Sequence, residues 1–198
     1  MNFCDMPLID LNSGATFSFM DCHLRLVQPG DEWPISEFYL QNRDYLQPWE
    51  PVRNETFYTI EYWCNRIACT LDLHEKKEAF SFVILNESEQ SVIGMINYTS
   101  VSSYPFHACH LGYALAQSQQ GKGIMHMALT LTNQWMFKQV NLHRIMAAYI
   151  PRNRASEKVL TKLNFEHEGT ARDYLLINGQ WETHYLMSLI NPDWVNKG

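Results

Sequence analysis

A single mixed α/β domain is the fold class this sequence predicts, and three observations carry it. Three strand-like segments follow one another between Ala79 and Leu115. A Gly-rich turn at Gln120-Gly121-Lys122-Gly123 then leads into a helix-period segment and a further strand, the order of a strand–helix–strand crossover. Near the end, Asn178-Gly179 separates two more strand-like runs and favours a type I′ hairpin. The 198 residues fit one domain, because domains commonly run to roughly 100–200 residues.

Residues 1–20 show no sustained pattern and read as a loose lead-in, which leaves 21–198 as the domain. The alternation Leu24-Arg25-Leu26-Val27 predicts a strand over 23–27, closed by Pro29-Gly30-Asp31. Asp31 is placed to cap a helix carrying Trp33, Ile35, Phe38 and Tyr39. Residues 42–51 contain Pro48, Trp49 and Pro51 and read as an ordered loop. Ile60, Trp63, Ile67 and Leu71 recur at helical spacing and predict a helix over 60–73. Strands are expected over 79–85, 92–101 and 106–115, forming a meander. Ile124, Ala128, Leu131 and Trp135 mark one face of the next helix. A strand over 143–150, a short helix over 153–163 after Pro151, and the terminal hairpin complete the chain. Trp33, Phe38 and Trp63 read as core.

Composition narrows the class of function. The formal net charge of −6, with both signs mixed along the chain, argues against general nucleic-acid binding and is compatible with a basic partner. No apolar run is long enough to span a bilayer, and the start lacks the features of a targeting segment. Cys4, Cys22, Cys64, Cys69 and Cys109 form an odd, irregular set that points to free thiols in a reducing, cytoplasmic setting.

The chemistry concentrates between Leu111 and Met125. Here a strand, Leu111-Gly112-Tyr113-Ala114-Leu115, ends in a Gly-rich turn from which a helix starts. Helix N-termini carry amides without intrahelical partners and partial positive charge. Glycine lets an anion approach the backbone because no Cβ intervenes. The combination suits phosphate binding, and an ordinary flexible loop is the competing reading. The segment matches neither the P-loop pattern nor the dinucleotide fingerprint.

Gln120-Gly121-Lys122-Gly123-Ile124-Met125, followed by a helix, a strand and Asn153-x-x-Ser156, resembles the coenzyme A site of the GNAT superfamily of N-acetyltransferases. Further stretches resemble its RimJ type, the ribosomal-protein-alanine N-acetyltransferases. They are Asn42-Arg43, Leu46 through Pro51, Phe106 through Cys109, His143 through Met146, and Asp173 through Trp181. The resemblance implies a central, mostly antiparallel twisted sheet flanked by about four helices. It implies acetyl-coenzyme A as co-substrate and no metal. Backbone amides of Gln120, Gly121, Lys122, Gly123, Ile124 and Met125 would hold the pyrophosphate, and the strand Tyr113, Ala114, Leu115 would pair with pantetheine as an added strand does. Asn153 would bind the cofactor backbone, with Lys122 and Arg154 as phosphate neutralisers or plain surface charges. The implied acceptor is the N-terminal α-amine, Ala first, of a ribosomal protein of the small-subunit protein five type. A small amine, a lysine side chain, and a non-catalytic coenzyme A-binding module in ribosome assembly are the alternatives.

The chain departs from the superfamily pattern where a tyrosine often follows the Asn by seven positions, since Leu160 stands there. Ser156 becomes the candidate proton donor to the thiolate, as the resemblance suggests. Leu175 occupies the position of the RimL-type glutamate, so no carboxylate base is expected there. An α-amine needs little help, because about one in ten is neutral at pH 7 against roughly one in two thousand lysines. His107 and His110 are candidate proton acceptors, three residues apart and so expected on opposite sides of a strand. With Cys109 they lack a fourth ligand for zinc. The family places the C-terminal hairpin, with Tyr174, Trp181 and His184, along one wall of the acceptor cleft and Trp49 along the other; packing is the simpler role for all four.

Overall fold

Alternation of apolar residues on both sides of the central strands builds a sheet covered on two faces. The computed structural model describes residues 15–196. The strands are β1 (Thr16–Phe19), β2 (Cys22–Leu26), β3 (Phe80–Asn86), β4 (Val92–Ser102), β5 (Ala108–Leu115), β6 (Arg144–Tyr149), β7 (Glu166–Ile177) and β8 (Gln180–Ile190). They form one sheet in the order β1-β2-β3-β4-β5-β6-β8-β7. Neighbours are antiparallel except β5 and β6, which are parallel. The α-helices are α1 (Glu32–Gln41), α2 (Arg43–Leu46), α3 (Ile60–Glu75), α4 (Ile124–Gln139) and α5 (Arg154–Lys162). Among the described residues the β5–α4–β6 crossover is the single parallel connection, and its long intervening segment permits it.

β3 shows how the residues sort. Phe80, Phe82 and Ile84 point into the core under α4 and α5, with Leu129, Trp135, Met136 and Leu160. Val83 and Leu85 join Ile35, Phe38, Trp63 and Ile67 under α1 and α3. Truncating one of these fully buried aliphatics to Ala costs about 2–5 kcal/mol. Thr59 caps α3, its side chain accepting the Tyr62 N–H at 3.3 Å.

Several expectations need correction. Thr16–Phe19 pairs with β2, so part of the segment read as a lead-in belongs to the sheet; residues 1–14 lie outside the described residues. Asp31 begins α1 without a side-chain cap. Its carboxylate instead receives both Arg25 guanidinium nitrogens at 2.7 Å and the Gln28 N–H at 2.9 Å. Trp33, read as core, is 55% exposed because it falls on the outer face of α1. The segment read as a loop contains α2 and a 3₁₀ turn over Gln47–Trp49. The Asn178-Gly179 turn forms with φ of 46° and 78°, as a type I′ hairpin demands. Among the described residues no helix is long and apolar enough to cross a membrane.

Candidate active site

The parallel pair opens into a V. The last β5–β6 partners are Leu111 and Ala147. Beyond them β5 continues to Leu115 beside β4, whereas β6 continues to Tyr149 beside β8. The strand edges that diverge can accept an extended, amide-bearing chain between them.

At the open end stands the Gly-rich turn. Gly121 and Gly123 have φ of +73° and +83°, the left-handed region that glycine enters without penalty. A Cβ on Gly121 would meet no atom within 4 Å, so the turn faces open space. Gly123 begins α4 without a side-chain cap, and the first α-helical bond is Met127 N–H to Gly123 C=O at 3.1 Å. The amides of Ile124, Met125 and His126 therefore precede the helical ladder and lie at its positive end.

A second helix start faces the same space. Asn153 caps α5 by accepting the Ser156 N–H at 3.1 Å, which fixes Ser156 in the first turn. The Ser156 hydroxyl lies 2.7 Å from the Tyr113 phenol, which projects from β5 at the mouth of the V. Burial raises the Tyr113 pKa, and the Ser156 hydrogen bond only partly opposes it, so the phenol stays protonated.

The third wall comes from α2 and the following turn. Tyr45, Leu46, Trp49 and Glu50 line a cavity of about 470 Å³ together with Tyr113, Ala114, Leu115, the Gly-rich turn and the first two turns of α5. The size falls within the roughly 300–1,000 Å³ of ligand sites. Gln120 Nε2 donates to the Tyr45 hydroxyl, tying this wall to the turn. The Arg152 guanidinium lies 5.5 Å from the Trp49 ring centroid and makes a two-pronged pair with Glu182 at 2.7 Å. The Asn178 N–H donates to the Glu50 carbonyl at 2.9 Å, so the tip of the β7–β8 hairpin closes on the Trp49–Glu50 segment. Burial raises the Glu50 pKa, with Arg53 at 3.4 Å opposing it.

Of the residues singled out from sequence, the cavity gathers Tyr113, Ala114, Leu115, Gln120, Gly121, Gly123, Ile124, Met125, Asn153, Arg154, Ser156 and Trp49. Lys122 turns away to Gln119 Oε1 at 2.9 Å, and Arg154 pairs with Glu157 at 2.7 Å. His107 does not reach the cavity. It precedes β5, its ring packs 5.1 Å from Trp194, and six residues of strand set it about 20 Å from Tyr113. His110 is exposed on the sheet face opposite Leu111 and Tyr113. Tyr174 and His184 pack edge to face at 5.5 Å within the hairpin, and His184 is buried with Nδ1 2.9 Å from the Glu182 carbonyl. Trp181 is 63% exposed beside the hairpin tip. None of these three lines the cavity.

Sequence reasoning missed Tyr45, Glu50, His126, Lys158 and Lys162, all of which line it. The lysines were findable: they stand four apart on α5 on a face flanking buried Leu160. Tyr45 and Glu50 reach the site only through packing of α2 on distant segments, which no local spacing signals. Among the described residues no cluster of His, Cys, Asp or Glu is arranged to hold a metal.

A family model for the acetyltransferase (GNAT) domain matches residues 22–166. The chain is 43% identical to the [ribosomal protein uS5]-alanine N-acetyltransferase of Escherichia coli (strain K12), over 86% of this chain and 88% of that one. It superposes with a TM-score of 0.90 and 47% identity on the ribosomal-protein-S5-alanine acetyltransferase of Vibrio fischeri, covering 92% of this chain and all of the other. Mycobacterium smegmatis RimJ, solved in complex with CoA-disulfide, superposes with a TM-score of 0.81 at 26% identity, covering 88% and 84% of the two chains. With most of its length matched by the domain model and by relatives of this identity, the chain belongs to the GNAT family of acetyltransferases.

Proposed function

We propose that this GNAT enzyme transfers the acetyl group of acetyl-coenzyme A to the N-terminal α-amine of ribosomal protein uS5, at an initial Ala, in the cytoplasm. The observation that carries this reading is one cavity joining the open V of β5 and β6, the Gly121–Gly123 turn, and the hydrogen-bonded Ser156–Tyr113 pair. The acceptor assignment draws on the relatives from Escherichia coli and Vibrio fischeri, whose sequences run nearly end to end with this one.

The roles follow from position. Amides at the start of α4 and the open backbone at Gly121 receive the diphosphate, and Lys158 and Lys162 add positive charge along α5. The β5 edge from Tyr113 to Leu115 aligns the pantetheine amides. When bound, the co-substrate supplies an activated acyl group with a thiolate leaving group. Ser156, held by Asn153 and backed by the Tyr113 phenol, delivers a proton to that sulfur. Trp49, under Arg152, forms the wall along which the acceptor enters.

The test is an Ala-initiated peptide with the uS5 N-terminal sequence, incubated with labelled acetyl-coenzyme A and mapped by mass spectrometry. Label on the α-amine is expected. Label confined to lysine, or none with the peptide while a polyamine is acetylated, refutes the acceptor assignment.

A further inference from the structure

We propose that Glu50 accepts the proton from the attacking amine. The inference rests on the acetyl-transfer reading above and assigns the base that the sequence left open. Glu50 contributes the single carboxylate among the described residues lining the cavity, on the wall formed by α2 and its turn. Its backbone is fixed on both sides. The preceding turn ends at Trp49, and the Glu50 carbonyl accepts the Asn178 N–H at 2.9 Å. The side chain is 19% exposed and is therefore held near the cavity surface.

The charged and titratable groups around it favour this role. Burial raises the affinity of Glu50 for a proton, and Arg53, 3.4 Å away, opposes this by favouring the carboxylate form. Tyr39 from α1 and Tyr58 from a second 3₁₀ turn, Glu55–Tyr58, adjoin it, and both phenols have raised pKa values, chiefly through burial. Arg43 shares the small cavity behind Glu50 with Arg53. Among the described residues no second carboxylate lines either cavity. His126, the one imidazole among the described residues of the lining, sits in the first turn of α4 at the end proposed to bind the diphosphate, away from the wall that carries Glu50.

The proton ledger balances. Between ammonium and amide the acceptor nitrogen sheds two protons while the N–C bond forms and the C–S bond breaks. Glu50 takes the first and passes it to solvent. The second goes by way of the Ser156 and Tyr113 hydroxyls to the thiolate.

The experiment measures kcat, KM and the pH profile of kcat/KM for wild type, Glu50→Gln and Arg53→Gln. The acceptor is whichever primary amine the wild type turns over from a panel of Ala-initiated peptide, lysine peptide and polyamine, so a failed acceptor assignment leaves the Glu50 readout intact. Coenzyme A affinity by calorimetry monitors folding. Glu50→Gln is expected to bind coenzyme A normally and to lose about 100-fold in kcat at neutral pH. With an α-amine acceptor, its acid limb should move to the amine's own pKa near 8. Arg53→Gln keeps the carboxylate but removes its cation, so its acid limb should shift to higher pH. Loss confined to KM, or an acid limb unmoved in both variants, overturns the proposal.

Discussion

Replacing Ser156 by Ala tests the acid side of the reaction and has two separable costs. The Ser156 hydroxyl sits 2.7 Å from the Tyr113 phenol. Removing it leaves the phenol only its longer bond to the Ser156 carbonyl at 3.4 Å, so the cost lies at or below the about 1–3 kcal/mol of a fully unsatisfied buried polar group. For a chain of this length each kcal/mol lowers Tm by roughly 2–4 °C, so a modest thermal shift is expected. The catalytic cost is governed by the leaving group. An alkyl thiolate has a pKa near 8.5, so it needs less help than an alkoxide, and the loss belongs at the low end of general-acid effects, about 100-fold in kcat. Thiol release followed spectrophotometrically gives turnover, and calorimetry gives coenzyme A affinity, which should stay near wild type. Tyr113→Phe removes the back-up donor and leaves Ser156 capped by Asn153, so its loss should be smaller. Because the two hydroxyls act as a unit, the double variant should be no slower than Ser156→Ala alone. Unchanged turnover in Ser156→Ala removes the serine from the mechanism, and strictly additive losses refute the coupling.

Three further outcomes are expected. Gly121→Ala places a Cβ where φ is +73°, a strain of about 1–2 kcal/mol, so coenzyme A affinity should fall by roughly tenfold; calorimetry showing wild-type affinity would remove the turn from the binding site. Asn153→Ala loses the cap on the Ser156 N–H, costing about 1 kcal/mol, and should lower turnover as well as Tm because Ser156 is no longer fixed; a shift in Tm alone would separate the cap from the chemistry. His74 Nε2 accepts the Ser81 N–H at 2.9 Å, and burial holds its pKa below the ordinary histidine value. The unfolded chain therefore binds a proton that the folded chain resists, and stability should fall as pH drops below about 6.5, the unfolded value, until the folded pKa is passed. His74→Gln keeps an acceptor without the titration and should flatten the Tm-against-pH curve over that window; an unchanged slope would exclude His74 as a source.

The strands and helices were readable where burial imposes a period. Val83 and Leu85 on one side, with Phe82 and Ile84 on the other, make the centre of β3 apolar on both faces, and α4 announces itself through Ala128, Leu131 and Trp135. What stayed hidden has a local cause. The β1–β2 hairpin turns on Met20 and Asp21, both at positive φ (48° and 59°), and Met carries none of the turn signal that Asn178-Gly179 supplies. His107 was misplaced for a related reason: at φ 45° it stands outside the strand, so an alternation argument that assumes extended backbone does not apply to it. The aromatic spacing of Trp33, Phe38 and Trp63 reads as core, yet Trp33 falls on the outer face of α1, and that face decides its exposure.

The site divides along the same line. The proposed donor-binding half is built from residues contiguous with one crossover, from Tyr113 to Met125 and again from Asn153 to Ser156, so sequence spacing encodes it. The proposed acceptor half is assembled from Trp49 and Glu50, Arg152 with Glu182, and Asn178, which come from distant parts of the chain and are linked by a guanidinium over the Trp49 ring, an ion pair and a backbone hydrogen bond. Arg152 is half exposed, so solvent screens this ion pair and little of the fold's stability rests on it. Substitutions there can alter the shape of the acceptor wall with little loss of fold stability, while the cradle at Gly121 and Gly123 tolerates almost none. Related chains can therefore share the donor half and differ in the amine they take, which is why the Gly-rich turn identifies the chemistry and the Trp49–Glu50 segment is the place to look for the acceptor.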